Sequence, residues 1–156
     1  MDGDDPGRSG RGVEMIFDHI GLVVTDLAEG RAFLRSALRV RKWSAEFDDP
    51  VNGVLLQFGA DAHGLCYELL QPSGDASPVK AALKNQKAIL NHVAYLVENL
   101  EIAAESLTEE GCIATSEPKP AIAYGGRRIQ FFVTPLNMIV ELIEAPGHRH
   151  AYSWTT

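Results

Sequence analysis

The chain has 156 residues, 46% hydrophobic and 22% charged, which fits one soluble domain or two small halves sharing a core. A net charge of −7 argues against nucleic acid as the main partner, because phosphate binding needs a basic face, although a local cluster can still hold a small anion. No apolar run is long enough to span a bilayer, and Met1-Asp2-Gly3-Asp4-Asp5-Pro6 is the reverse of a signal peptide's basic and apolar start, so the cytoplasm is the expected location.

Residues 1–14 are rich in Gly, Asp and Arg without an apolar period, and read as a disordered leader before a single domain over 15–146. From Ile16 to Val24 the residues are apolar and β-branched, the mark of a buried strand. Thr25 or Asp26 then supplies a helix N-cap, with Glu29 three residues beyond Asp26. Leu27, Ala28, Phe33, Leu34, Ala37 and Leu38 recur at helical spacing, so an amphipathic helix follows, ending near Arg39. Lys42 to Phe47 is a short strand, Asp48 to Gly53 a turn, Val54 to Phe58 a strand closed by Gly59, and Leu65 to Leu70 a fourth strand stopped at Gln71-Pro72-Ser73-Gly74. Module one, 15–72, is therefore β-α-β-β-β.

Ser77-Pro78 places an N-cap and a first-turn proline at the head of a linker helix over 77–86, which carries Lys80 and Lys84. Module two, 90–146, repeats the order. It has a strand from Leu90 to Val97, a helix from Leu100 to Glu110 capped by Asn99, and a short strand from Cys112 to Thr115. A loop from Ser116 to Gly126 leads to a strand from Arg128 to Val133, a turn at Thr134-Pro135-Leu136-Asn137, and a last strand from Met138 to Ile143. In the tail, 147–156, His148 and His150 have the spacing of a weak metal site, while Tyr152 and Trp154 offer apolar surface to an oligomer contact. Cys66 and Cys112 fit a reduced core.

The halves share more than their element order. Asp18-His19-Ile20-Gly21 returns as Asn91-His92-Val93-Ala94 at an offset of 73, and Glu68 returns as Glu141 at the same offset, which indicates internal duplication. On strand alternation His19 shares a face with Gly21 and Val23. Glu68 and Glu141 sit among apolar strand neighbours, where an unpaired carboxylate is costly to bury. Two imidazoles and two carboxylates suit a divalent metal, so His19, Glu68, His92 and Glu141 are the candidate ligands; two separate His–Glu pairs within the core are the competing arrangement.

With its paired βαβββ halves, these openings, and the endings Tyr67-Glu68-Leu69-Leu70-Gln71-Pro72 and Val140-Glu141-Leu142-Ile143-Glu144, the chain resembles the vicinal oxygen chelate superfamily. Glu117-Pro118-Lys119-Pro120 and Gly125-Gly126-Arg127-Arg128-Ile129 are similar to segments of methylmalonyl-CoA epimerase and its glyoxalase-like relatives. The resemblance implies an α+β fold of two tandem βαβββ modules in one cupped eight-stranded mixed sheet. It implies a divalent ion (Zn, Co, Ni or Mn) at the four ligands, a small carbonyl or thioester substrate, and a homodimer. In this superfamily a ligating glutamate can also act as base, which makes Glu141 and Glu68 the catalytic candidates, the metal stabilising the enolate that forms. Arg127, Arg128 and Tyr124 are candidate substrate contacts.

Where some epimerases carry a further carboxylate after the turn glycine, Gly53 is followed by Val54-Leu55-Leu56-Gln57, and the nearest acids, Glu46, Asp48 and Asp49, precede it. Two other functions use the same scaffold: a glyoxalase I-type lyase acting on a thiol hemithioacetal, and a binding protein that sequesters small molecules without catalysis. Dioxygenase chemistry is disfavoured, because two carboxylates leave the metal fewer open positions.

Overall fold

The computed structural model describes residues 12–83, 89–148 and 153–155. In chain order, β1 (Ile16–Val23) leads to α1 (Leu27–Ala37), β2 (Lys42–Ser44), β3 (Phe47–Asp49), β4 (Val54–Ala60) and β5 (Cys66–Pro72). After a 3-10 turn at Lys80–Leu83 come β6 (Ile89–Val97), α2 (Leu100–Glu109), β7 (Ile113–Ala114), β8 (Lys119–Pro120), β9 (Arg128–Val133), β10 (Ile139–Glu144) and β11 (Trp154–Thr155).

All the described strands join one mixed sheet in the order β11-β2-β4-β5-β1-β6-β10-β9-β7, with β3 added to β4 and β8 to β9. Outward from β1, β5 is parallel and β4 and β2 are antiparallel. Outward from β6 the same sequence recurs: β10 is parallel, β9 and β7 antiparallel. The antiparallel β1–β6 pair joins the two halves.

Side-chain chemistry sets which face each half buries. The Asp26 carboxylate accepts the Glu29 N–H at 2.9 Å and the Asn99 amide oxygen accepts the Ile102 N–H at 2.9 Å, so each helix starts at an N-cap next to a strand end. α1 lays Leu27 and Leu34 against Val40, Trp43 and Leu69. α2 lays Leu100 and Ala103 against Phe132, Val140 and Leu142. On the opposite face a third cluster draws on both halves, with Val23, Phe58 and Leu70 from one and Leu96, Tyr124 and Ile143 from the other. The helices thus occupy one face of the sheet and leave the other to the paired His and Glu side chains. No helix among the described residues is long and apolar enough to cross a membrane.

Four details differ from the sequence expectations. Among the described residues the sheet has eleven strands rather than eight, partly because the Lys42–Phe47 strand is split. Ser44 Oγ donates to the Ala45 carbonyl at 2.7 Å and accepts the Phe58 N–H at 3.0 Å, side-chain bonds that replace the ladder before it resumes at Phe47 opposite Leu56. β4 runs through Gly59 to Ala60; a Cβ at Gly59 would lie 2.6 Å from Trp43 Cζ3, so glycine serves the indole's close approach rather than a strand end. The linker is a 3-10 turn, and its expected continuation over 84–86 lies outside the described residues. In the tail, Trp154 and Thr155 pair with Ser44 and Trp43 as an edge strand. His150, Tyr152, the side chain of His148 and most of the expected leader, 1–11, lie outside the described residues. Cys66 and Cys112 are buried in separate clusters.

Candidate metal centre

The four candidate ligands come from the four central strands: His19 from β1, Glu68 from β5, His92 from β6 and Glu141 from β10. All four are buried, each at most 5% exposed. Their donor atoms meet on the axis that relates the halves. The two Nε2 atoms are 3.1 Å apart. Glu68 Oε2 lies 3.2 Å from His19 Nε2 and 3.3 Å from His92 Nε2, and Glu141 Oε2 lies 3.4 and 3.2 Å from the same two atoms.

Each imidazole is oriented from behind. Asp18 Oδ2 accepts from His19 Nδ1 at 2.7 Å and from the Tyr124 hydroxyl at 2.8 Å, while Asn91 Oδ1 accepts from His92 Nδ1 at 2.9 Å. Both rings therefore carry their proton on Nδ1 and turn the Nε2 lone pair inward. Two such nitrogens cannot hydrogen-bond each other, and the buried Glu141 Oε2 has no hydrogen bond despite its closeness to both. Four lone pairs facing one point repel unless a cation or added protons stand among them. Donors at this spacing lie about 2 Å from their common centre, the length of a divalent metal bond to nitrogen or oxygen. This buried cluster is consistent with a divalent metal site.

Backbone and packing are adjusted to this meeting point. The β1–β6 register shifts between Phe17 and His19 and again between Gly21 and Leu22, irregularities that re-aim side chains beside the site. Gly21 stands opposite His92, and a Cβ there would fall 2.1 Å from the ring. Phe58 meets His19 edge-on at 5.3 Å, and Phe131 meets His92 edge-on at 5.3 Å. Phe58 pairs with Glu68 and Phe131 with Glu141 in the ladders. Phe58 and Phe131 are also 73 residues apart, so the duplication that marks His and Glu marks this wall too, a signal present in the sequence but not among the expected site residues.

Glu68, His92 and Glu141 open onto a narrow cleft whose walls include Leu56, Leu70, Ile129 and Phe131. Tyr124, a candidate substrate contact, lines the cleft but is buried, with its hydroxyl spent on Asp18. Asp49, one of the acids that precede Gly53, forms part of the wall and is buried, accepting from Asn52 and from the Ile122 N–H. Arg127 and Arg128 do not line the cleft. Strand alternation sends Ile129 and Phe131 to the site face and Arg128 to the other, where it bonds Glu144 at 2.6 and 2.9 Å and also pairs with Glu101. Lys80 pairs with exposed Asp75, and Lys84 lies outside the described residues.

Without a metal, protons have to hold the centre together. Burial, the largest influence, lowers the pKa of both imidazoles, but the Glu68 charge with contacts to Asp18, Glu141 and Glu68 outweighs it at His19, and contacts to Glu141 and Glu68 outweigh it at His92, so both are raised. At Glu68 burial pushes upward and the two histidines outweigh it, so its pKa is lowered. The raised histidines stabilise the metal-free fold fully below about pH 6.5, their unfolded value, and lose that contribution as pH rises through the folded pKa. The lowered glutamate contributes above about pH 4.3 and loses it as pH falls. Chelator-treated protein is thus expected to soften on the alkaline side, and a divalent ion, taking the place of protons, to restore stability most strongly there. Thermal melting across pH with and without chelator checks this; an unchanged alkaline limb in chelated protein would count against it. Gly21→Ala, by displacing the His92 ring, is expected to cut metal affinity about 10- to 100-fold, measured by competition with a chromophoric chelator, with wild-type affinity as the contrary result.

The sequence model of the Glyoxalase/Bleomycin resistance protein/Dioxygenase superfamily matches residues 18–131. An ethylmalonyl-CoA/methylmalonyl-CoA epimerase of Cereibacter sphaeroides is 30% identical over 115 residues, 73% of this chain and 84% of that protein. The mitochondrial methylmalonyl-CoA epimerase of Bos taurus is 33% identical over 113 residues, 69% of this chain and 61% of that protein. Among solved structures, a hypothetical protein from Bacillus halodurans aligns with a TM-score of 0.73 at 24% identity, covering 85% of this chain and 95% of that one. A methylmalonyl-CoA epimerase in complex with methylmalonyl-CoA and NH4+ aligns with a TM-score of 0.68 at 21% identity, covering 87% and 98%. The sequence match spans most of the chain and the solved structures share its fold: the chain belongs to the glyoxalase/bleomycin resistance protein/dioxygenase superfamily.

Proposed function

We propose that the chain is a metal-dependent isomerase of the epimerase kind, acting at the carbon next to a carbonyl or thioester. One observation carries this reading: both glutamates of the cluster also line the apolar cleft, so carboxylates stand where a substrate carbon can reach them. His19, Glu68, His92 and Glu141 would hold the ion, which supplies a Lewis acid against the negative charge that builds on a carbonyl oxygen once the neighbouring proton leaves. Glu141, whose carboxylate also lines the cleft, is the proposed base. Glu68 comes from the other half of the strand order; taking the proton at one carboxylate and returning it from the other inverts the carbon. The Leu56, Leu70, Ile129 and Phe131 walls keep bulk water from competing as proton donor.

A CoA thioester is the proposed substrate class. The relatives from Cereibacter and Bos are named for such substrates. The cleft also shares Val79, Asn91 and Phe131 with an outer hollow beside Ser116 and Lys119, a path along which a long substrate arm would pass a cation. A homodimer is part of the proposal, supported by an apolar groove between α1 and the outer face of β1, β5 and β6, where Phe33, Leu38 and Leu90 are exposed. Light scattering at micromolar concentration should give twice the chain mass; a single-chain mass would remove this part.

For the activity, metal-loaded protein is incubated with methylmalonyl-CoA in deuterium oxide and the α-carbon followed by NMR. Exchange is expected, and Glu141→Gln should slow it about 10²- to 10⁴-fold, with metal content measured alongside to separate loss of the base from loss of the ion. No exchange, with consumption of methylglyoxal and a thiol instead, would favour the lyase, which would use the same four donors. Tight binding with neither reaction would favour a binding protein.

A further inference from the structure

The chain is acidic overall, yet Arg31, Arg35, Arg39, Arg41 and Lys42 fall within twelve consecutive residues that contain no acid. Three of them converge. Arg31 and Arg35 stand one turn apart on α1, and with Arg41 they line a polar cleft that also involves Trp43, Gln57 and Thr155. Gln57 precedes Phe58, whose ring points to the metal centre, so this cleft opens on the opposite, helix-bearing face of the sheet.

Its local neutralisation is incomplete. Arg31 Nη1 donates to Glu46 and to Gln57 Oε1, each at 2.9 Å. Gln57 is saturated on its other side, its amide donating to the Ser44 carbonyl at 2.8 Å. Among the described residues Glu46 is the one carboxylate paired with these three arginines, and like charges one turn apart on a helix repel. Trp43 is 6% exposed, and its indole N–H is buried without an acceptor, an uncommon cost in a native fold. Thr155 Oγ1 donates to the Trp43 carbonyl at 2.8 Å, so the edge strand β11 closes one side of the cleft.

We propose that this cleft is a binding site for a phosphate group, held by Arg35, Arg41 and the remaining N–H groups of Arg31. Planar guanidinium forks match the paired oxygens of a phosphate, and a dianion offsets the charge that Glu46 leaves uncompensated. The site is separate from the metal centre and does not rest on the proposed isomerase activity. Two sources carry the same chemistry, free inorganic phosphate and the phosphate of a nucleotide.

Isothermal titration with inorganic phosphate and with adenosine 3′,5′-bisphosphate tests it. Saturable binding is expected, weakened at least about tenfold in Arg35→Gln/Arg41→Gln and less than about twofold in Lys42→Gln, which removes a neighbouring charge outside the cleft. Binding of the nucleotide at least about tenfold tighter than phosphate assigns a nucleotide ligand, and equal affinity assigns the free anion. Absence of saturation, equal loss in Lys42→Gln, or full binding in the double variant would each overturn the proposal, the last by placing the anion outside this cleft. These arginines are surface residues, and circular dichroism confirms that the variants are folded.

Discussion

Two carboxylates buried in the middle of a sheet, facing each other across the axis that relates its halves, are the constraint to which the rest of this structure answers. Neither glutamate has an arginine or lysine within the cluster, so the charge has to be met by the imidazoles and by whatever stands between all four. The Nδ1 atoms are occupied by Asp18 and Asn91, which leaves both Nε2 lone pairs directed at the oxygens. Gly21 is forced by the space that His92 takes up, and the Phe58 and Phe131 edges hold the two rings.

Symmetry places the site, and departures from it divide the labour. Asp18 and Asn91 occupy equivalent positions, but one is a carboxylate and the other an amide, so His19 has the more strongly polarised backing. Tyr124 reaches from the second half to Asp18 of the first, and its equivalent by the repeat is Val51, an exposed turn residue. Asp49 and Ile122 are themselves separated by the repeat offset and meet across the axis through a hydrogen bond. A reaction that removes a proton on one side and restores it on the other needs two carboxylates that are alike in position and unlike in surroundings; these asymmetries supply the difference on the proposed reading.

The gathering of two histidines and two glutamates was legible because duplication writes it twice, and because an acid inside an apolar strand is conspicuous. Phe58 and Phe131 carried the same offset but, as phenylalanines in apolar strands, looked like ordinary core. Tyr124 and Asp49 act through contacts with residues far away in sequence, which no local pattern encodes. Arg128 was legible in part: alternation allowed one of two adjacent arginines to face the site, and only the positions of Glu101 and Glu144 decided that it did not. The short strands β3, β8 and β11 arise from pairing with a neighbour already in place, so their residues show little strand pattern of their own.

The β1–β6 pair is where stability and chemistry coincide. It is the ladder that joins the two halves, and it carries both histidines, with irregular register on either side of them. A regular ladder would hold the halves more tightly, but its fixed pleat would not bring His19 Nε2 and His92 Nε2 to 3.1 Å of each other. Cohesion given up in the backbone is recovered at the cluster, since the ligands of β1 and β5 face those of β6 and β10 and an ion bound among them ties one half to the other. An ion that would activate a substrate would therefore also act as a cross-link, and the pleat irregularities bring its donors together for both roles.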